Sequence, residues 1–131
     1  MNSKGKKLIT IVILAAGIIL CMPKTAQAGE LFSVKATAYC YNSGATATGT
    51  IPVEGRTLAG KREWFGKTAY IWEDKGNGIE SQNFIGRFKV EDTGGAPIRN
   101  GYVVDVFITD YDRAMQFGCK KVYIWLVDEE G

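Results

Sequence analysis

The chain contains no histidine. That excludes Ser-His-Asp and Cys-His catalysis, a haem held by a proximal His and the usual His-built zinc centre. Proline is scarce, at 3 residues against 16 glycines, a balance that points to many turns. No apolar run is long enough to cross a membrane. The longest, Leu8 to Met22, has 15 residues, short of the ~20 that a spanning helix needs. The 131 residues suit one domain. With 46% apolar and 23% charged residues, the composition is that of a globular protein, not a disordered one.

The missing acids of the N-terminus are as informative. Residues 1–28 carry four lysines (Lys4, Lys6, Lys7, Lys24) and no carboxylate. A basic start, an apolar stretch and Ala26-Gln27-Ala28 have the layout of a secretory signal. We expect cleavage after Ala28, no stable membrane insertion afterwards, and a mature domain over 29–131. Removing four lysines from 16 basic and 14 acidic residues leaves 12 and 14, a net charge of −2. A weakly acidic domain without a Lys/Arg cluster is a poor nucleic-acid binder. The two cysteines of that domain, Cys40 and Cys119, are either bridged, as an exported protein permits, or separate thiols.

Runs rich in β-branched and aromatic residues recur between glycine-rich turns. We expect strands over Phe32–Tyr41, Thr68–Trp72, Asn83–Val90, Tyr102–Ile108 and Lys121–Val127, and one short helix over Asp110–Phe117 capped by Thr109. Many short strands and one small helix make an all-β barrel or sandwich, and periodicity leaves that choice open.

Four features can carry chemistry. In Tyr102-Val103-Val104-Asp105-Val106-Phe107-Ile108, strand alternation puts Asp105 on one face with Val103 and Phe107. A carboxylate among apolar neighbours loses hydration, which raises its pKa and suits it to general-acid catalysis. The other reading is a structural Asp held by an arginine or by backbone amides. In Glu91-Asp92-Thr93-Gly94-Gly95, Asp92 precedes a tight turn, and Gly94 and Gly95 let backbone approach a ligand. Ala45-Thr46-Ala47-Thr48-Gly49-Thr50 is a hydroxyl-rich loop, either a sugar-binding loop or a surface turn. Trp64, in a polar stretch, is the aromatic best placed to wall a groove. None of these patterns calls for a metal or cofactor.

The order of these motifs has a resemblance. Ala36-Thr37-Ala38-Tyr39-Cys40, Thr46-Ala47-Thr48-Gly49, Glu91-Asp92-Thr93-Gly94-Gly95, Val104-Asp105-Val106-Phe107, and Ala114 to Gly118 with Val122 resemble the 3D (Asp-Asp-Asp) domain family. That family is similar to the catalytic barrel of MltA-type lytic transglycosylases and to secreted stationary-phase survival proteins. The resemblance runs from about Ala36 to Leu126. It implies a six-stranded double-psi β-barrel and non-hydrolytic cleavage of the MurNAc–GlcNAc β-1,4 bond of peptidoglycan glycan strands. It implies Asp105 as general acid, Asp92 as a second site carboxylate, and Thr48, Gly49 and Thr93 near the groove. The chain departs from the family pattern at Leu58-Ala59-Gly60-Lys61-Arg62, where Lys61 stands in place of an expected Asp. That departure keeps a second function open, a non-catalytic wall-binding or wall-loosening module of expansin-like type.

Overall fold

A computed structural model describes residues 29–40, 44–76 and 83–128. The expected signal segment, 1–28, lies outside the described residues, as do Tyr41 at the end of the first expected strand and the Asn77-Gly78 turn.

Six strands form: β1 (Gly29–Tyr39), β2 (Thr57–Ala59), β3 (Thr68–Glu73), β4 (Asn83–Asp92), β5 (Val103–Phe107) and β6 (Lys120–Val127). They close a barrel in the order β1-β5-β2-β4-β3-β6. Closure leaves no unpaired edge to aggregate. Two pairs are parallel, β1 with β5 and β2 with β4. The other pairings are antiparallel. Because β5 lies between β1 and β2, and β2 between β4 and β5, the β1–β2 and β4–β5 connections interlock. This is the double-psi arrangement of a small all-β barrel.

Alternate residues of each strand face inward. Val34, Ala36, Leu58, Ala69, Ile71, Phe88, Val90, Val104, Val106, Val122, Ile124 and Leu126 make one buried cluster. Alanine at 36 and 69 leaves room in the narrow interior for the larger residues paired with them, Val104 at 36 and Phe88 and Leu126 at 69.

The expected helix is α2 (Tyr111–Phe117), and its cap is one residue later than expected. Asp110, not Thr109, accepts the Arg113 amide, at 2.8 Å, while Thr109 donates both its amide and its hydroxyl to Glu54. Gly118, at φ +66°, ends the helix. A four-residue turn, α1 (Ala96–Arg99), and a 3-10 turn over Arg62–Trp64 accompany it. The three-residue β2 was not anticipated. Its strand character comes from its neighbours, not from its own length.

Cys40 and Cys119 are both free thiols, so the bridge left open by the sequence is not formed. Strand register explains this. Lys120 pairs with Ala36, so Cys119 continues toward the level of Thr37, and Cys40 lies three residues beyond that, roughly 10 Å if extended. The Cα atoms of a disulfide sit within about 7 Å.

Candidate active site

A row of four residues crosses the barrel wall at one level. Thr37 on β1 pairs with Asp105 on β5. Asp105 pairs with Ala59 on β2, and Ala59 pairs with Asp92 on β4. A bulge makes this row possible. Leu58 pairs with Val90, but Ala59 pairs with Asp92, so Glu91 is the extra residue. An inserted residue reverses the side-chain alternation beyond it. Val90 therefore points into the core, and Asp92 joins the outward row of Asp105. Ala59, between the two acids, has no bulk to separate them.

Asp105 is half-buried, on the face opposite Val104 and Val106, as strand alternation predicts. The Thr37 hydroxyl donates to its Oδ1 at 2.9 Å. Burial raises its carboxyl above the ordinary Asp range, the Thr37 bond opposes that rise, and the charge of Asp92 adds to it. Among the described residues no arginine or lysine pairs with it. The arginine-held form of the structural reading therefore does not fit.

Asp92 is held differently. Its Oδ1 accepts the amides of Ala47, at 3.0 Å, and Thr93, at 2.9 Å, and its Oδ2 accepts the Tyr39 hydroxyl, at 2.9 Å. Burial, and then the Asp92 bond and charge, push the Tyr39 phenol well above its ordinary range, so it stays a donor. The Tyr39 ring rests edge-on against Phe107, with centroids 5.3 Å apart.

The threonine loop closes onto this bulge. The Thr48 amide and hydroxyl both donate to the Glu91 carbonyl, at 3.2 and 2.8 Å. Thr46 and Thr50 bond each other through their hydroxyls, at 2.7 Å. The loop's hydroxyls thus fix the protein's own backbone, while Gly49, at φ +92°, faces open space. Glu91 turns back beneath the loop. Only 3% exposed, it accepts Nε of Arg56 at 2.9 Å and the Thr57 hydroxyl at 2.5 Å.

Of the remaining expected residues only Thr93 bonds one of the two acids. Thr93 contributes its amide to Asp92, and its hydroxyl is buried with no partner among the described residues. A Cβ at Gly94 would meet Cδ1 of Ile98 at 2.7 Å, so this glycine makes room for α1 packing. Trp64 packs on Gly60, Gly101 and Phe32. Lys61, in the place of the expected Asp, pairs with Glu63 at 3.6 Å and lies against Gly101. Sequence reasoning missed Thr37 as the partner of Asp105 and Tyr39 as the partner of Asp92. Both lie in the Ala36–Cys40 motif, but no local signal says which distant strand that motif will meet.

A groove of about 750 Å³ opens along the same seam, lined by Ser33, Lys35, Tyr102, Val103, Lys120 and Lys121 among others. Lys35 and Val103 are partners in the β1–β5 ladder, two residues before the Thr37–Asp105 pair. The wall aromatic here is Tyr102, 72% exposed, and not Trp64.

No protein-family model matches this chain, and no curated protein matches it. The resemblance to the 3D domain family therefore rests on the motifs and their order. Among the described residues no cluster of Cys, Asp and Glu has the makings of a metal site, and no helix is long and apolar enough to cross a membrane.

Proposed function

We propose that the protein is a secreted peptidoglycan lytic transglycosylase. The observation that carries this reading is Asp105, a carboxyl raised by burial, held by a single neutral hydroxyl and free of any cation among the described residues.

Such a group can act twice. Protonated, Asp105 gives its proton to the glycosidic oxygen as the bond to the muramyl anomeric carbon breaks. The resulting carboxylate takes the proton of the muramyl 6-hydroxyl, whose oxygen closes onto that carbon. The product is a 1,6-anhydro sugar, and no water is consumed. Because the nucleophile belongs to the substrate, its effective concentration is high. A glycoside hydrolase needs a second working carboxylate, as nucleophile or as base for water. Asp92 is badly placed for that part, since three donors already occupy its oxygens. It acts as a positioning residue, and its fixed charge helps keep the proton on Asp105.

The test is product analysis. Purified sacculi digested with the protein should release anhydro-muramyl ends, seen by mass spectrometry. Reducing ends alone would reject the mechanism in favour of hydrolysis. Asp105→Asn should lower the rate by about 10²- to 10⁴-fold, the worth of a general acid.

Lys61 favours a second reading, in which the barrel binds wall glycan without cleaving it. Sedimentation with sacculi and no released fragments is the outcome that selects it.

A further inference from the structure

Lys35 and Lys121 face each other directly across β1 and β6. Like charges directly opposite in an antiparallel pair repel. Neither lysine forms an ion pair with a described residue. Asp74, which gives its amide to the Lys121 carbonyl, turns its carboxylate onto the Gly76 amide, at 2.8 Å. Lys120, at the same groove, is already engaged by Glu73 and the Phe117 ring. Two lysines with no ion pair among the described residues therefore line the 750 Å³ groove together, beside the exposed ring of Tyr102.

The groove is in line with the acid. Lys35 is paired with Val103, and the next outward pair along these parallel strands is Thr37 with Asp105. Two residues of strand span about 7 Å, so a chain lying along the seam reaches both.

We propose that the Lys35–Lys121 pair is a subsite for carboxylate groups of the glycan strand whose bond lies at Asp105, with Tyr102 stacking on a sugar face. The inference rests on the glycan-cleaving reading and names the part of the substrate that this groove takes. An anion between the two lysines removes a repulsion that the free protein bears, so recognition is built into the strand register.

The experiment is co-sedimentation with sacculi stripped of secondary wall polymers by acid. A parallel sample has its carboxyl groups blocked as neutral amides. The variants are Lys35→Gln with Lys121→Gln, and a control that removes two positive charges elsewhere, Arg62→Gln with Arg99→Gln. The lysine pair should weaken binding about tenfold, the arginine control should not, and amide blocking should erase the difference. Unchanged binding by the lysine variant, equal loss in the arginine control, or a difference that survives blocking overturns the inference. Binding that disappears when the secondary polymers are stripped also overturns it. The two proposals fail separately. Lysine-dependent binding without anhydro product sinks only the transglycosylase reading. Anhydro product with lysine-independent binding sinks only the subsite.

Discussion

The two sides of the barrel wall are made differently. Along β4–β3–β6 the pairing is antiparallel, and the wall is buried on both faces around β3 and β6. Ala69, Ile71, Ile124 and Leu126 fill the interior, and Tyr70, Trp72 and Trp125 are buried on the outside. Along β1–β5–β2 the inner face is as apolar, but the outer face carries Lys35, Thr37, Asp105 and Ala59. One side is specified by burial, at about 25 cal/mol per Å² of apolar surface. The other side spends part of its outer surface on groups that folding would not select. The difference separates what holds the fold from what the fold presents.

That separation can be broken by two substitutions with opposite effects. Ile71→Ala should cost about 2–5 kcal/mol of stability, because the residue is fully buried and its neighbours cannot collapse into the gap. Denaturant unfolding measures it, and activity per folded molecule should be unchanged. Asp105→Asn should lower activity by about 10²- to 10⁴-fold and leave the fold intact. Its stability effect has a definite sign. The Asp105 pKa is raised on folding, so above the ordinary Asp range the folded state holds the proton more tightly than the unfolded chain. Stability from this group therefore falls as pH rises through the raised value. The Asn variant should melt above the parent at neutral pH and level with it below the ordinary Asp range. An Asn variant that melts well below the parent at neutral pH would show Asp105 to be structural.

The same contrast explains what was legible in the sequence. β-branched runs marked β1, β3, β4, β5 and β6, since each run is long enough to announce itself. They did not mark β2, whose three residues become a strand only when β4 and β5 flank them. Asp105 was legible because its anomaly is local, an acid in an apolar strand. Its partners were not. Thr37 is 68 residues away, and Tyr39 is 53 residues from Asp92. Asp92 was visible as a turn acid, but its place beside Asp105 depends on the Glu91 bulge, a feature of pairing and not of composition. The threonine loop stayed open between a ligand loop and a surface turn because hydroxyls that bind sugar and hydroxyls that bind backbone look alike in sequence. Trp64 was singled out because its polar neighbours suggested exposure, whereas its ring covers glycines at 60 and 101.

A smaller effect probes the boundary between the two sides. Glu91 is buried beside the site, and Arg56 is its ion-pair partner. Breaking a fully buried pair costs about 3–5 kcal/mol, because one charge is left uncompensated. The Arg56 side chain is 44% exposed, and water screens part of that loss, so Arg56→Ala should cost nearer 2 kcal/mol. The informative readout is where the cost falls. Hydrogen exchange should speed up in the 45–50 loop and the Glu91–Asp92 bulge while β3 and β6 keep their protection. Uniform loss of protection would mean that the two sides unfold as one unit.

The subtlest change is Thr37→Val, which keeps the shape of the side chain and removes its one strong bond to Asp105. That bond opposes the rise of the Asp105 pKa. Without it the carboxyl should hold its proton to higher pH. The general acid must be protonated at the start of each turnover, so the alkaline limb of the pH–rate profile should move upward. At the optimum the rate should change by no more than about tenfold, the worth of one hydrogen bond to a charged group. The later step draws on the same group as a base, and a carboxylate without its donor is the stronger base, so that step should not slow. A limb that moves downward, or stays in place while activity falls, would assign Thr37 to substrate binding and leave the protonation of Asp105 to the burial of its own strand.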